Sequence, residues 1–359
     1  MALEMETSQG EATKKKRLLI LNCIILGIGN CGAPLITRRY FLGGGKRVWF
    51  SSWLETGGWP INFIPLLLTY IQRRRRAAQG SNAKLIFITP TIFAKAALIG
   101  VVTGLDDYVY AYGLSKLPVS TTVLLIATQL AFTAAFARLL VKQKFTAASV
   151  NAVVLLTMGA GCLAMGASGD RPAGVSKKEY ISGFLLTLTA ACLYGFVLPW
   201  IELTYRKAKQ AITYTLVLEM QLVICFFATC FCTIGMIINK DFQAIPREAR
   251  GFEIGEGKYY AVIVGSAVLW QLFFMGVVGV SCFGSSLLSG IIISALIPVT
   301  EMLGILLYQE KFRPEKGVSL ALALWGFVSY FYGEFKISKE SKEHETEREI
   351  ITQSHTVSI

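Results

Sequence analysis

Histidine is nearly missing from this 359-residue chain. There are two, His344 and His355, and both fall in a polar C-terminal stretch, which excludes a histidine proton relay inside an apolar core. Charge is scarce as well: Asp, Glu, Lys and Arg make up 16% of residues, against roughly 25% in soluble domains. The charges gather at the two ends and in short connectors. HExxH and GxSxG are both missing, so the chain does not read as an enzyme. No Asn-x-Ser/Thr sequon occurs, which leaves topology without a glycosylation marker. No cleavable leader is expected either, because Met1–Thr13 is polar and the first apolar run, opening at Leu18, is long enough to span.

What fills the chain instead is apolar: 53% of residues are hydrophobic and the mean hydropathy is +0.53. The eight cysteines, Cys23, Cys31, Cys162, Cys192, Cys225, Cys230, Cys232 and Cys282, all lie inside apolar runs, where they act as small hydrophobes rather than a disulfide framework or a metal site. Ten runs have the roughly 20 residues needed to cross a bilayer, at about 18–36, 49–71, 91–112, 119–140, 146–166, 180–201, 213–238, 259–281, 286–308 and 316–334. The expectation is an all-α membrane protein of ten transmembrane helices. A net charge of +12 reflects basic residues flanking those runs and does not imply nucleic acid. The dense run Arg73–Arg76 places the N-terminus, and with an even number of spans both termini, in the cytosol. The tail from Lys336 to Ile359 is polar, without periodicity, and expected to be disordered.

Self-similarity refines this picture. Leu139-Leu140-Val141-Lys142-Gln143-Lys144-Phe145 resembles Leu306-Leu307-Tyr308-Gln309-Glu310-Lys311-Phe312, Pro34 matches Pro199, and Glu55 matches Glu219, at offsets of 167, 165 and 164 residues. Each offset links one span to the fifth span after it. Five is odd, so the second copy enters the membrane the other way up, as in the inverted repeats of secondary transporters with a midplane site. The expected organisation is an N-terminal tail over 1–17, a first five-helix repeat over 18–166, a connector over 167–179, a second repeat over 180–335 and a C-terminal tail over 336–359.

Ionisable groups inside a span cost roughly 2.5–3.5 kcal/mol on insertion scales and are functional candidates by default. Glu55, Asp106, Asp107, Glu219 and Glu301 qualify. A proton-coupled carrier with no membrane histidine needs a buried carboxylate that takes and releases a proton. Glu55 and Glu219 are related by the repeat, and each lies roughly 9 Å into its span by helix rise. Either could instead make a structural hydrogen bond to a neighbouring helix. Asp106, flanked by Tyr108, Tyr110 and Tyr112, suits a proton acceptor or a partner for substrate N–H groups, with an N-cap in an interrupted helix as the alternative. Gly27-x-Gly29-x-x-Gly32 matches a dinucleotide fingerprint in form only, since it follows no strand.

Gly29-Asn30-Cys31-Gly32 in span one, Leu54-Glu55-Thr56-Gly57-Gly58-Trp59-Pro60 in span two, Gly104-Leu105-Asp106-Asp107-Tyr108-Val109-Tyr110 in span three, Thr128-Gln129-Leu130-Ala131-Phe132 in span four and Leu218-Glu219-Met220-Gln221 in span seven together resemble the plant purine permeases, within the drug/metabolite transporter superfamily. The resemblance covers the chain except its ends. It implies the drug/metabolite transporter fold, proton-coupled uptake of adenine, related purines and cytokinins, a plasma-membrane setting and no cofactor. One departure stands out: Asp106-Asp107 occupies a place where Asp-Asn is expected. A purine has flat faces and an edge of mixed donors and acceptors, so its site should combine aromatic stacking with amides. Asn30 and Gln129 are the deep amides, and Trp59, Tyr194 and Trp270 the aromatics expected nearby; Glu219, Asp106 and Glu55 are the carboxylates expected to couple protons or bind substrate. A carrier of another nitrogen heterocycle remains open. A nucleotide-sugar or phosphate carrier would need deep Lys or Arg, and a channel or receptor gains nothing from an inverted repeat.

Overall fold

The computed structural model describes residues 2–76, 86–117, 128–143, 146–166, 175–208 and 210–308, with single positions between 122 and 126 and most of 314–336. The C-terminal tail beyond Lys336 and the repeated Lys144-Phe145 and Lys311-Phe312 pairs lie outside the described residues, as does the side chain of Glu301.

Every described element is a helix. In chain order they are α1 (Ala2–Leu42), α2 (Val48–Thr56), a 3₁₀ turn (Trp59–Asn62), α3 (Phe63–Arg76), α4 (Pro90–Lys116), α5 (Gln129–Leu140), α6 (Ala147–Gly166), α7 (Lys177–Arg206), α8 (Tyr214–Ile238), α9 (Asp241–Arg250), α10 (Glu256–Phe283) and α11 (Ser286–Tyr308). Five stretches are long and apolar enough to cross a membrane: Lys15–Leu42, Lys177–Arg206, Tyr214–Ile238, Glu256–Phe283 and Ser286–Tyr308. Gln129–Leu140, Ala147–Gly159 and Gly317–Tyr330 are shorter apolar helices. The chain is thus an all-helical, multi-pass membrane protein.

Several boundaries differ from the sequence expectation. Helix α1 begins at Ala2, inside the stretch expected as a tail, and runs 41 residues, roughly 60 Å at the helical rise. Span two is not one helix. It breaks after Thr56 into the 3₁₀ turn and then α3, because Pro60 lacks an N–H and follows two glycines that hold helix poorly. Span four carries α5 from Gln129, with the described positions Thr122, Leu125 and Ile126 ahead of it helical as well. The amphipathic α9 was not anticipated from hydropathy, being too short and too polar to register as a span. Asp106 sits in the interior of an unbroken α4, which removes the N-cap reading.

The helix starts follow local chemistry. Ser176 and Glu179 form a capping box at the start of α7, each side chain accepting the other's backbone N–H at 3.2 and 3.0 Å. Glu179 also meets Lys116 Nζ at 2.8 Å, joining the end of α4 to the start of α7. Thr213 caps α8 by accepting the Leu216 N–H at 3.3 Å.

Packing is organised around a few close crossings. Helix α1 makes its most extensive contact with α10, and α4 lies between α7 and α8. At the first crossing the helices approach so closely that a Cβ on Gly29 would strike the Phe273 backbone, and one on Gly276 the Leu26 backbone. Small residues at helix contacts are what van der Waals packing between membrane helices requires. Further contacts join α5 to α7, α1 to α11, and α10 to α2.

Candidate functional site

Where α1, α2, α4, α5, α7, α10 and α11 converge they line a partly open cavity of about 80 Å³. Its lining joins an aromatic and aliphatic wall (Tyr110, Tyr194, Trp270, Phe273, Phe274, Ile126, Ile293 and Ile297) to a polar set comprising Asn30, Glu55, Asp106, Asp107, Gln129 and Thr300. Pro34 and Ala190 complete it. Among the described residues no Lys, Arg or His lines it.

The aromatic wall is held by specific contacts. Trp270 donates from Nε1 to Thr37 Oγ1 at 2.9 Å, tying α10 to α1 and setting the plane of the indole. Tyr110 meets Trp270 edge-on with centroids 6.0 Å apart, Phe273 meets Trp270 edge-on at 5.5 Å, and Tyr194 lies over Phe273 at 5.9 Å with planes 25° apart. Edge-on and offset arrangements are the favoured ones for π-systems, so these rings brace one another without a ligand.

The polar end behaves oppositely. Glu55 Oε1, Asp106 Oδ1, Gln129 Nε2 and Tyr194 Oη are buried and lack hydrogen-bond partners within the protein. Glu55, Asp106 and Asp107 are close enough to interact electrostatically with one another. Asn30 is half committed, donating from Nδ2 to the Ile293 carbonyl at 3.3 Å across α1 and α11. Buried polar groups are ordinarily satisfied. Asp107 Oδ2 is unpartnered too, and a cavity with two unpartnered donors and three unpartnered acceptors beside aromatic faces is complementary to a flat ligand with a mixed polar edge.

Seven of the residues singled out from sequence converge here: Asn30, Glu55, Asp106, Asp107, Gln129, Tyr194 and Trp270. Trp59 does not line the cavity. It lies in the 3₁₀ turn, edge-on to Phe63 at 5.8 Å and Phe226 at 5.3 Å. Glu219 is elsewhere too. Its Oε2 accepts the backbone N–H groups of Phe87 and Ile88 at 2.9 and 2.7 Å, holding the chain that leads into α4. Glu202, an acid that sequence reasoning passed over, plays a similar part, accepting the Ser286 N–H at 2.8 Å to cap α11 and pairing with Arg206 at 2.6 Å. Phe273 and Phe274 were also missed, since nothing distinguishes them from packing residues in an apolar run. Gln271 gave a signal, an amide deep in a span, that was not taken up.

Comparison with known proteins identifies the family. A family model described as purine nucleobase transmembrane transport matches residues 17–340. The chain is 52% identical to purine permease 3 of Arabidopsis thaliana, with 96% of this chain and 98% of the relative covered. This chain belongs to the purine permease family. Purine permease 2 of the same plant is 49% identical, with 93% and 96% covered, and probable purine permease 4 is 37% identical, with 84% and 78% covered. A solved crystal structure superposes with a TM-score of 0.59 at 13% identity, covering 87% of this chain and 95% of that one, which bears on the fold alone. Family membership makes the chain a membrane transporter of the purine nucleobase class and not an enzyme.

Proposed function

We propose that this protein is a proton-coupled carrier of purine bases and purine derivatives, adenine and cytokinins among them, built as ten spans in two inverted five-helix repeats. Both termini face the cytosol and the plasma membrane is its setting. The observation that carries the reading is the cavity's pairing of braced aromatic faces with unpartnered polar atoms at a carboxylate end.

The repeat is supported by how the helices pair. Exchanging each element of the first half for its equivalent in the second turns the α1·α10 contact into α7·α4, α5·α7 into α11·α1, and α4·α8 into α10·α2, all of which occur. The equivalence extends to single residues. A Cβ on Gly113 would strike Thr187 Oγ1, and one on Gly279 would strike Asn22 Oδ1. Gly279 lies 166 residues beyond Gly113, and Thr187 lies 165 beyond Asn22, the same spacing that relates Pro34 to Pro199.

In this reading the heterocycle is clamped against Trp270, Phe273 and Tyr194. Gln129 Nε2 and Tyr194 Oη donate to its ring nitrogens, and Glu55 and Asp106 accept its N–H groups. Three carboxylates in one apolar cavity hold a variable number of protons between them, which is the property a symporter needs, and Asp107 adds the third. A phosphate-bearing substrate would meet carboxylates and no cation. Base and proton then cross together as the two halves rock about the midplane.

The test is uptake of labelled adenine into yeast lacking its own purine carrier, in acid and neutral medium, with and without protonophore, and with excess cytokinin. Symport gives uptake that needs acid and collapses with the protonophore; a shared cavity gives competition by cytokinin. No uptake by surface-localised protein would overturn the adenine assignment.

A further inference from the structure

The buried polar groups do not end at the cavity. They continue along one face of α8, toward the N-terminal end that carries Glu219. Thr229 bonds Thr56, the residue after Glu55, at 3.1 Å. One turn on is Cys225, whose neighbours include Asp107 and Gln271. One turn further, Gln221 donates from Nε2 to Cys225 Sγ at 2.9 Å. Residues four apart share a helix face, so this column runs roughly 12 Å from Thr229 to Gln221 at the helical rise, about 6 Å of it beyond the Cys225 level where Asp107 lies. Gln271 of α10 lies beside Cys225, and Asn62 ends the 3₁₀ turn, which packs against both α8 and α10.

These amides are enclosed and unsatisfied. Gln221 is 1% exposed, and Gln271 and Asn62 are fully buried. Gln221 Oε1 and both amide atoms of Asn62 have no hydrogen-bond partner within the protein, and Gln271 has only the Cys225 thiol beside it. Three half-bonded or unbonded amides around one column, in the interior of a membrane protein, are strongly disfavoured unless something bonds them. Buried water is the ordinary solution, each molecule making about three hydrogen bonds to polar groups left over. The break in span two at Gly57–Pro60 brings Asn62 there, and irregular backbone at membrane depth is tolerated where it borders water.

We infer that Gln221, Gln271 and Asn62 hold a buried column of water, continuous with Glu55 and Asp107, that carries protons to and from the carboxylates by a route separate from the purine cavity. This rests on the symport reading. Protons hop between hydrogen-bonded waters without net chemical change, so no co-reactant is required.

The experiment uses the full chain reconstituted in vesicles, with two readouts: adenine exchange at equal pH, and adenine accumulation driven by an acid outside. Gln271→Leu and Asn62→Leu should lower acid-driven accumulation about tenfold, the scale of a typical coupling term, while exchange is retained. Gln271→Asn, which keeps an amide, should retain both. Accumulation preserved in the Leu variants, or exchange lost together with it while Gln271→Asn is normal, would overturn the water column and leave symport standing. If the unaltered protein exchanges adenine but gains nothing from the pH difference, the symport reading falls and the column with it. Should the Leu variants fail to fold, a high-resolution experimental map decides: ordered water bonded to the Gln221, Gln271 and Asn62 amides supports the column, and amides bonded directly to one another overturn it.

Discussion

Glu55 and Glu219 occupy matching places 164 residues apart, yet their surroundings are opposite. Glu219 is fixed by backbone N–H donors at 2.7 and 2.9 Å on a single oxygen, with the Phe87 N–H also 3.1 Å from the other. Glu55 is 2% exposed, keeps an unpartnered oxygen, and lines the cavity together with Asp106 and Asp107. One acid thus holds a helix entrance in place and the other borders the cavity. Similar sequence context constrains where a side chain sits and leaves open what reaches it.

Neutralising each acid should separate the two roles. Glu55→Gln and Asp106→Asn should produce the largest change, abolishing acid-stimulated adenine uptake in surface-expressed protein while leaving thermal stability near that of the unaltered chain. If instead Glu219→Gln is the variant that uncouples protons, the assignment of roles is reversed. Glu219→Ala should mainly destabilise. Charge-assisted hydrogen bonds contribute about 1.5–3 kcal/mol each and an orphaned buried donor costs a similar amount, so the melting temperature of purified protein should drop by several degrees, with the pH profile of uptake unchanged in shape.

The smallest effect is expected at a third kind of carboxylate site, outside the membrane. Asp241 and Glu248 of α9 lie 3.5 and 3.9 Å from Arg47. Burial is the leading influence on both and pushes their carboxyls above the ordinary values of 3.8 and 4.5, outweighing the pull of Arg47. The folded protein therefore binds these protons more tightly than the unfolded chain. The associated stabilisation is complete below the unfolded values and fades as pH rises through the folded ones. Thermal melts of detergent-solubilised protein should show a small loss of stability over the lower pH range as pH increases, and Asp241→Asn with Glu248→Gln should flatten it.

Much of the site was legible without coordinates, because a polar or ionisable residue in an apolar span is costly and needs a reason. That argument selected Glu55, Asp106 and Asp107, and the chemistry of a purine added Asn30, Gln129, Tyr194 and Trp270; all seven line one cavity. For Glu219 it left two readings open, since a buried acid answers equally well to a solute or to free backbone N–H groups, and periodicity does not say where residues 87 and 88 will lie. Nor does sequence say which way Trp59 faces, which the break at Pro60 decides, or distinguish Phe273 and Phe274 from any packing residues until seven helices converge on them. Applied evenly, the same argument would have raised Gln271 and Asn62.

Composition and hydropathy by themselves determined that this chain is helical and membrane-embedded, because no other arrangement satisfies the backbone of long apolar runs in lipid. Motif strings determined its family. Only the tertiary structure decided which buried acids face a cavity and which face a helix end, because both settings place a carboxylate in the same apolar sequence context and differ solely in which distant donors the packing brings within 3 Å.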